Sequence, residues 1–151
     1  MKYSRNQINK AGDTILTSKD PVIVTTAIEM VNDWRTNHLV PLNTLGNKVV
    51  EVLNENKIKP MFTSQRLKRL TSIQYKLDLN PSMQDIGGFR IVLKDVPALN
   101  KALTMFLNKE FDDFTLEKIN DYVTEPKISG YRSIHFVYKY HSTDETYDGL
   151  R

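Results

Sequence analysis

The chain has 151 residues, 40% hydrophobic and 26% charged, with a net charge of +3 and a pI of about 9.0: ordinary for one globular domain that buries its own core, and too weakly basic for a dedicated DNA-coating protein. It contains no cysteine, which excludes disulfides and thiolate metal sites and makes a reducing cytoplasm the simplest home. No apolar run approaches the roughly 18 residues that span a bilayer, and the N-terminus lacks the apolar stretch of a signal peptide, so no membrane partner is expected.

Residues 3–18 place Ile8, Ala11, Ile15 and Leu16 at helical spacing. Ser18 to Pro21 reads as a break, with Pro21 suited to the first turn of a second helix over residues 22–37, where Val24, Ala27, Ile28, Val31 and Trp34 recur at three and four. Residues 38–41 interrupt, and a third helix is predicted over 42–57 with Leu45, Val49, Val52 and Leu53 inward. Beyond Lys59-Pro60 a shorter helix is predicted over 63–77, then a loop at Asn80-Pro81-Ser82. Residues 86–93 form the clearest strand, 96–108 an amphipathic helix, 114–123 a strand of loose alternation, and 131–140 a strong third strand. Near the end, Asp148-Gly149 has the composition of a two-residue hairpin turn that announces a returning strand. Because no strand follows, the chain is expected to be a fragment.

Charge is concentrated locally. Residues 56–77 hold six Lys or Arg and no Asp or Glu, which suits a small polyanion or an RNA end. On a helix, Lys68, Ser72 and Lys76 would share one face, with Leu70, Ile73 and Leu77 opposite, and Arg66 would sit at the helix start with a fork suited to phosphate. An ordinary solvated helix face explains the same spacing. Asp85 opens the strand that contains Gly87-Gly88, a pair that suggests a bulge or a close approach. Such a carboxylate can ligate Mg²⁺ together with phosphate oxygens, or simply cap a loop. Arg90 lies five residues on and faces away from Asp85 unless a bulge intervenes; a strand-face ion pair is its plain alternative.

The third group lies in residues 126–135. Gly130 permits a backbone turn that other residues resist. Tyr131, Ser133 and His135 alternate and so would share a strand face; Tyr131 could stack on a nucleobase, while His135 and Lys127 could meet phosphate. The bland alternative is a hairpin edge with a core tyrosine and a surface histidine. His38 and His141 read as structural or surface residues, and the sequence has no Walker P-loop, HExxH, CxxC or GxSxG motif.

Three segments, Arg66-x-Lys68-x-x-x-Ser72-x-x-x-Lys76, Asp85-Ile86-Gly87-Gly88-Phe89-Arg90, and Asp121-Tyr122 through Pro126-Lys127-x-x-Gly130-Tyr131-Arg132-Ser133-x-His135, resemble the RelA/SpoT-type alarmone synthetase domain in its small single-domain form. The resemblance runs over residues 63–151 and fits the N-terminal helices more loosely. It implies an α/β (α+β) fold: a nucleotidyltransferase-like mixed β-sheet flanked by helices, as one domain over 1–151, with N-terminal helices in 1–60 and a C-terminally truncated catalytic core in 61–151. The implied reaction is transfer of the β,γ-pyrophosphate of ATP to the 3′ hydroxyl of GDP or GTP, with Mg²⁺ as cofactor. By that likeness Arg66, Lys68, Ser72 and Lys76 bind ATP, Asp85 binds the metal, Arg90 supports the catalytic centre, and Lys127, Gly130, Tyr131 and His135 bind the acceptor. A homo-oligomer is open, and DNA is not expected.

Two departures from the family pattern stand out. Asn120 occupies the position before Asp121-Tyr122 where the family usually has lysine, which suits the branch that pyrophosphorylates the 3′ end of transfer RNA as a toxin. An acidic strand of the type Glu-x-Gln-x-Arg-Thr should begin after Arg151, and its absence would leave a nucleotide-binding or regulatory fragment without turnover.

Overall fold

The computed structural model describes residues 2–73 and 86–151. Ser4 opens helix α1 (Arg5–Thr17) by a reciprocal cap: its hydroxyl accepts from the Gln7 N–H, and the Gln7 side chain accepts from the Ser4 N–H. Asp20 caps α2 (Pro21–Asn37) by accepting from the Val22 and Ile23 N–H groups, with Pro21 in the first turn as expected. The expected interruption at 38–41 shrinks to His38. Helix α3 (Leu39–Glu55) begins at once, because Pro41 falls in its first turn, where a missing N–H removes no intrahelical bond.

The next element corrects the sequence-based expectation of a helix over 63–77. Residues Phe62–Leu67 form strand β1, antiparallel to β2 (Gly87–Val92) in unbroken register from Phe62↔Val92 to Leu67↔Gly87. The ladder continues to Lys68, whose N–H donates to the Ile86 carbonyl at 2.7 Å, and helical residues begin only at Leu70. Lys68 therefore does not share a helix face with Ser72. The expected bulge at Gly87-Gly88 is likewise absent from this register. Thr63, Gln65, Leu67, Phe89 and Ile91 face one way, and Phe62, Ser64, Arg66, Gly88, Arg90 and Val92 the other.

Asp95 caps α4 (Val96–Leu107) by accepting from the Ala98 N–H. Strands β3 (Phe114–Asp121) and β4 (Ile134–Tyr140) form a second antiparallel pair. The expected third strand over 131–140 thus starts later, at Ile134. A bulge between Leu116 and Lys118 explains the loose alternation of β3: Phe114 and Leu116 pair with Tyr140 and Tyr138 before it, Ile119 pairs with Phe136 after it. Glu117, at the bulge, is gripped by Arg151 at 2.6 and 3.0 Å. The turn toward the end is longer than the two residues its Asp-Gly composition suggests. Asp144 accepts from the Thr146 N–H, Gly149 takes φ +78° and donates its N–H to the Tyr140 carbonyl at 2.8 Å, and the Leu150 carbonyl accepts from the Tyr140 N–H at 2.8 Å.

Two buried clusters hold these elements. One joins Ile8 and Ala11 of α1 with Ala27, Val31 and Trp34 of α2, and takes in Ile73, Ile86 and Leu150. The other sets Val49, Val52 and Leu53 of α3 and Ala102 and Phe106 of α4 against Phe111 and Phe114, with Phe89, Ile91, Phe136, Tyr138 and Tyr140 packed on it. Gly46 makes the α3–β2 contact close, since a Cβ there would come within 3.1 Å of the Phe89 ring. Helices and antiparallel strands with a helical N-terminal part match the expected fold class. Among the described residues no helix is long and apolar enough to cross a membrane.

His38 is the one buried polar side chain of the described core. Its ring stands edge-on to Trp34 at 4.9 Å, and its Nδ1 lies 2.9 Å from the Trp34 carbonyl, so the neutral ring donates there. Burial lowers its pKa from 6.5 to about 4. The unfolded chain therefore takes up a proton that the folded one refuses. This contribution to stability is complete above about pH 6.5 and is lost as pH falls toward 4. Between pH 7 and pH 5 the loss is about 2 kcal/mol. Urea unfolding of the parent and His38→Asn at both pH values should show this extra acid sensitivity in the parent alone.

Candidate functional site

Two antiparallel strand pairs carry the basic and the aromatic residues. Arg66 and Arg90 project from the same face of the β1–β2 ladder, opposite the face that carries Phe89 into the core, and both are exposed. Their proximity on one face follows from register: Arg90 pairs with Ser64, two residues from Arg66. Lys68 is half-buried at the end of that ladder, with its carbonyl accepting from Arg35 Nε at 2.6 Å. Ser72 is exposed on the helical residues that follow, while Ile73 turns into the core and Leu70 packs against it, as expected. Lys76, Asp85 and the expected loop at 80–82 lie outside the described residues. No group of three or more His, Cys, Asp or Glu gathers among the described residues.

The β3–β4 hairpin supplies the second half. Asp121 organises the exit of β3: its Oδ1 accepts from the Val123 and Thr124 N–H groups at 2.8 and 3.0 Å, and its Oδ2 from the Thr124 hydroxyl at 2.8 Å. These bonds hold its carboxyl below the usual carboxylate range, first through Thr124. The loop then closes tightly. The Gly130 N–H donates to the Lys127 carbonyl at 2.8 Å and the Lys127 N–H to the Tyr131 carbonyl at 3.3 Å, with Gly130 at φ +77° in the left-handed region. Tyr131 and Ser133 lie before β4 and not within it, yet Tyr131 and His135 still meet: the Tyr131 hydroxyl is 2.9 Å from His135 Nε2.

His135 ties the two halves together electrostatically. Its pKa is lowered first by burial, then by Lys127, then by Arg90. A neutral ring at Nε2 can exchange a hydrogen bond with Tyr131. Asn120 pairs across the ladder with His135 and shares its face, a consequence of the β3 bulge.

Two contributors were not singled out by sequence. Asp121 could have been found from Thr124 three residues on, the spacing at which a carboxylate caps its own turn. Tyr122 had its place in the family motif, before the loop, as a signal. Its ring contacts Tyr131 and His135 edgewise at 6.0 and 5.2 Å, and the Lys127 ammonium lies 4.4 Å from its centroid. A groove of about 610 Å³ lies elsewhere, between the end of α3 and α4, bordered by Glu55, Asn56, Lys101 and Lys109.

Residues 65–148 match the family described as "Region found in RelA / SpoT proteins". The GTP pyrophosphokinase YwaC of Bacillus subtilis is 26% identical over 126 residues, covering 72% of this chain and 59% of that protein. The GTP pyrophosphokinase YjbM of the same organism is 36% identical over 84 residues, covering 56% of this chain and 38% of that protein. The structure of small alarmone synthetase 1 from B. subtilis bound to its product pppGpp superposes with a TM-score of 0.61 at 25% identity, over 78% of this chain and 64% of that one. The chain thus spans less than two thirds of the length of each of these relatives.

The left-handed turn at Gly130 gives a direct check on the loop. A Cβ at Gly130 meets no neighbour within 4 Å, so the cost of Gly130→Ala is conformational. It should lower stability by about 1 kcal/mol in denaturant titration, or shift the loop's amide resonances where the turn opens instead.

Proposed function

The chain belongs to the RelA/SpoT family, and we propose that it carries the nucleotide site of an ATP-dependent pyrophosphotransferase acting on GDP or GTP. The carrying observation is the pairing of Arg66 and Arg90 on one exposed face of β1–β2 with a Lys127–Tyr131–His135 cluster at the end of β3–β4, the two ladders packing on one core. The names of the relatives, GTP pyrophosphokinase and small alarmone synthetase, support the same reading.

In the proposed reaction the 3′ oxygen of the acceptor bonds to the β-phosphorus of ATP, the bond between that phosphorus and the α,β-bridging oxygen breaks, and AMP leaves. The proton of the 3′ hydroxyl passes to a base or to water. Little covalent help is needed; neutralising phosphate charge and aligning the oxygens is most of the work. Arg66, with Lys68, Ser72 and Lys76, would take the ATP phosphates. Arg90 would offset charge between donor and acceptor. Tyr131 would stack on the acceptor base, while Lys127 and His135 meet acceptor phosphates, the loop being shaped by Gly130. Mg²⁺ asks for one or two carboxylates, phosphate oxygens and water, a donor set to which Asp85 would contribute; when bound, the ion neutralises phosphate charge. A cytoplasmic setting, where both nucleotides occur, fits this chemistry.

Asn120 favours a second acceptor. A neutral amide opposite His135, where the family usually has lysine, leaves one cation fewer for a nucleotide's 5′ phosphates, which suits the 3′ end of transfer RNA.

Incubation with Mg²⁺ and ATP labelled at the γ-phosphate, offering GDP, GTP and transfer RNA separately, should place label on a guanosine nucleotide. Label on RNA alone would select the second acceptor. Label on none, from this chain and from one extended through the next strand of its gene, would overturn transfer. Given activity, Arg66→Ala and Arg90→Ala should each lower kcat/KM about 100-fold or more, and Lys68→Ala and Asp85→Asn at least as much.

A further inference from the structure

Tyr122 lies at the centre of the acceptor loop. Its N–H donates to the Ser133 carbonyl at 2.8 Å, so its backbone is fixed to the strand that leads into β4. From that anchor the half-buried ring touches the Tyr131 ring at 6.0 Å and the His135 ring at 5.2 Å, both edgewise. The Lys127 ammonium lies 4.4 Å from the Tyr122 centroid and 5.7 Å from that of Tyr131. Lys127 and Tyr131 are themselves exposed. A lysine on an exposed loop samples many rotamers, and a compact ammonium is readily lost to water. A cation over a tyrosine face gains about 2- to 30-fold in population.

We propose that Tyr122 is a positioning residue that holds the Lys127 ammonium beside Tyr131, so that the loop offers a fixed charge and a stacking ring together. Its consequence for the acceptor rests on the reading under Proposed function; the hold on Lys127 does not. The hydroxyl of Tyr122 has no part in this, since the ring face carries the cation and the ring edges meet Tyr131 and His135. Tyr122→Phe therefore keeps the arrangement and Tyr122→Leu removes it, with similar bulk retained at the strand exit.

The ring of His135 reports on the arrangement, because Lys127 and Arg90 bear on it as cations while Tyr122 and Tyr131 pack against it. Its pKa would be followed by NMR in the parent, Tyr122→Phe, Tyr122→Leu, Lys127→Met and the Leu–Met double variant, alongside calorimetric titration with GDP. Expected are a raised His135 pKa in both Tyr122→Leu and Lys127→Met, little further rise in the double variant, and no change in Tyr122→Phe. GDP affinity should fall about 3- to 30-fold in Tyr122→Leu and stay near the parent's in Tyr122→Phe. Additive shifts in the double variant, or a Phe variant that behaves like Leu, would overturn the proposal. Absence of GDP binding by the parent would sink the acceptor reading, while the His135 cycle would still decide whether Tyr122 holds Lys127.

Discussion

Ile73 and Ile86 are both almost fully buried in the cluster formed by α1 and α2, against Val31 and Trp34. One follows the basic strand end and the other precedes β2. Their shared burial ties the residues after β1 and the start of β2 to the N-terminal helices. Fully burying an isoleucine is worth roughly 1.5–3 kcal/mol, so two together outweigh any single surface ion pair of the chain. The N-terminal helices are therefore a wall for the site and not an appendage. The Arg35 guanidinium extends that role by bonding the Lys68 carbonyl from α2.

The second cluster sets the other half. Phe89 and Ile91 enter it from β2, Phe136 and Tyr138 from β4, and this common core brings two separate ladders side by side. Each ladder spends its inward face on packing, so its polar face stays free. On β1–β2 that face holds Arg66 and Arg90; on β3–β4 it holds Asn120 and His135. The bulge near Glu117, clamped by Arg151, is what moves Asn120 to the side of His135. Were Glu117 paired regularly instead, the parity of everything beyond it would reverse, and Asn120 would no longer lie opposite His135.

Electrostatics then link the halves. Burial, then Lys127 of β3–β4, then Arg90 of β1–β2 lower the His135 pKa. Like charges on neighbouring elements repel one another, a cost that the polyanionic ligand proposed above would offset. Asp121 is not part of that balance. Its carboxylate is occupied with the turn that follows β3, so this acidic residue serves shape and not charge compensation.

Helices α1 to α4, strand β2 and the sense of the loop at Gly130 were legible in the sequence, because each rests on local physics: apolar periodicity, capping side chains, Pro21 in a first turn, a glycine at positive φ. The family motifs likewise named Arg66, Arg90, Lys127, Tyr131 and His135 from order and spacing. Strand β1 was not legible. Its side chains are polar and exposed on both faces apart from Phe62 and Leu67, so no period-2 signal exists, and only the partner strand β2 turns Thr63 to Leu67 away from helix. The bulge in β3 was hidden for a related reason, since the alternation it disrupts could be read only against β4. What the sequence alone determined was the set of chemical groups and the elements with local signals. Which of those groups face one another was decided by tertiary pairing, because register and parity belong to two strands at once and are written in neither.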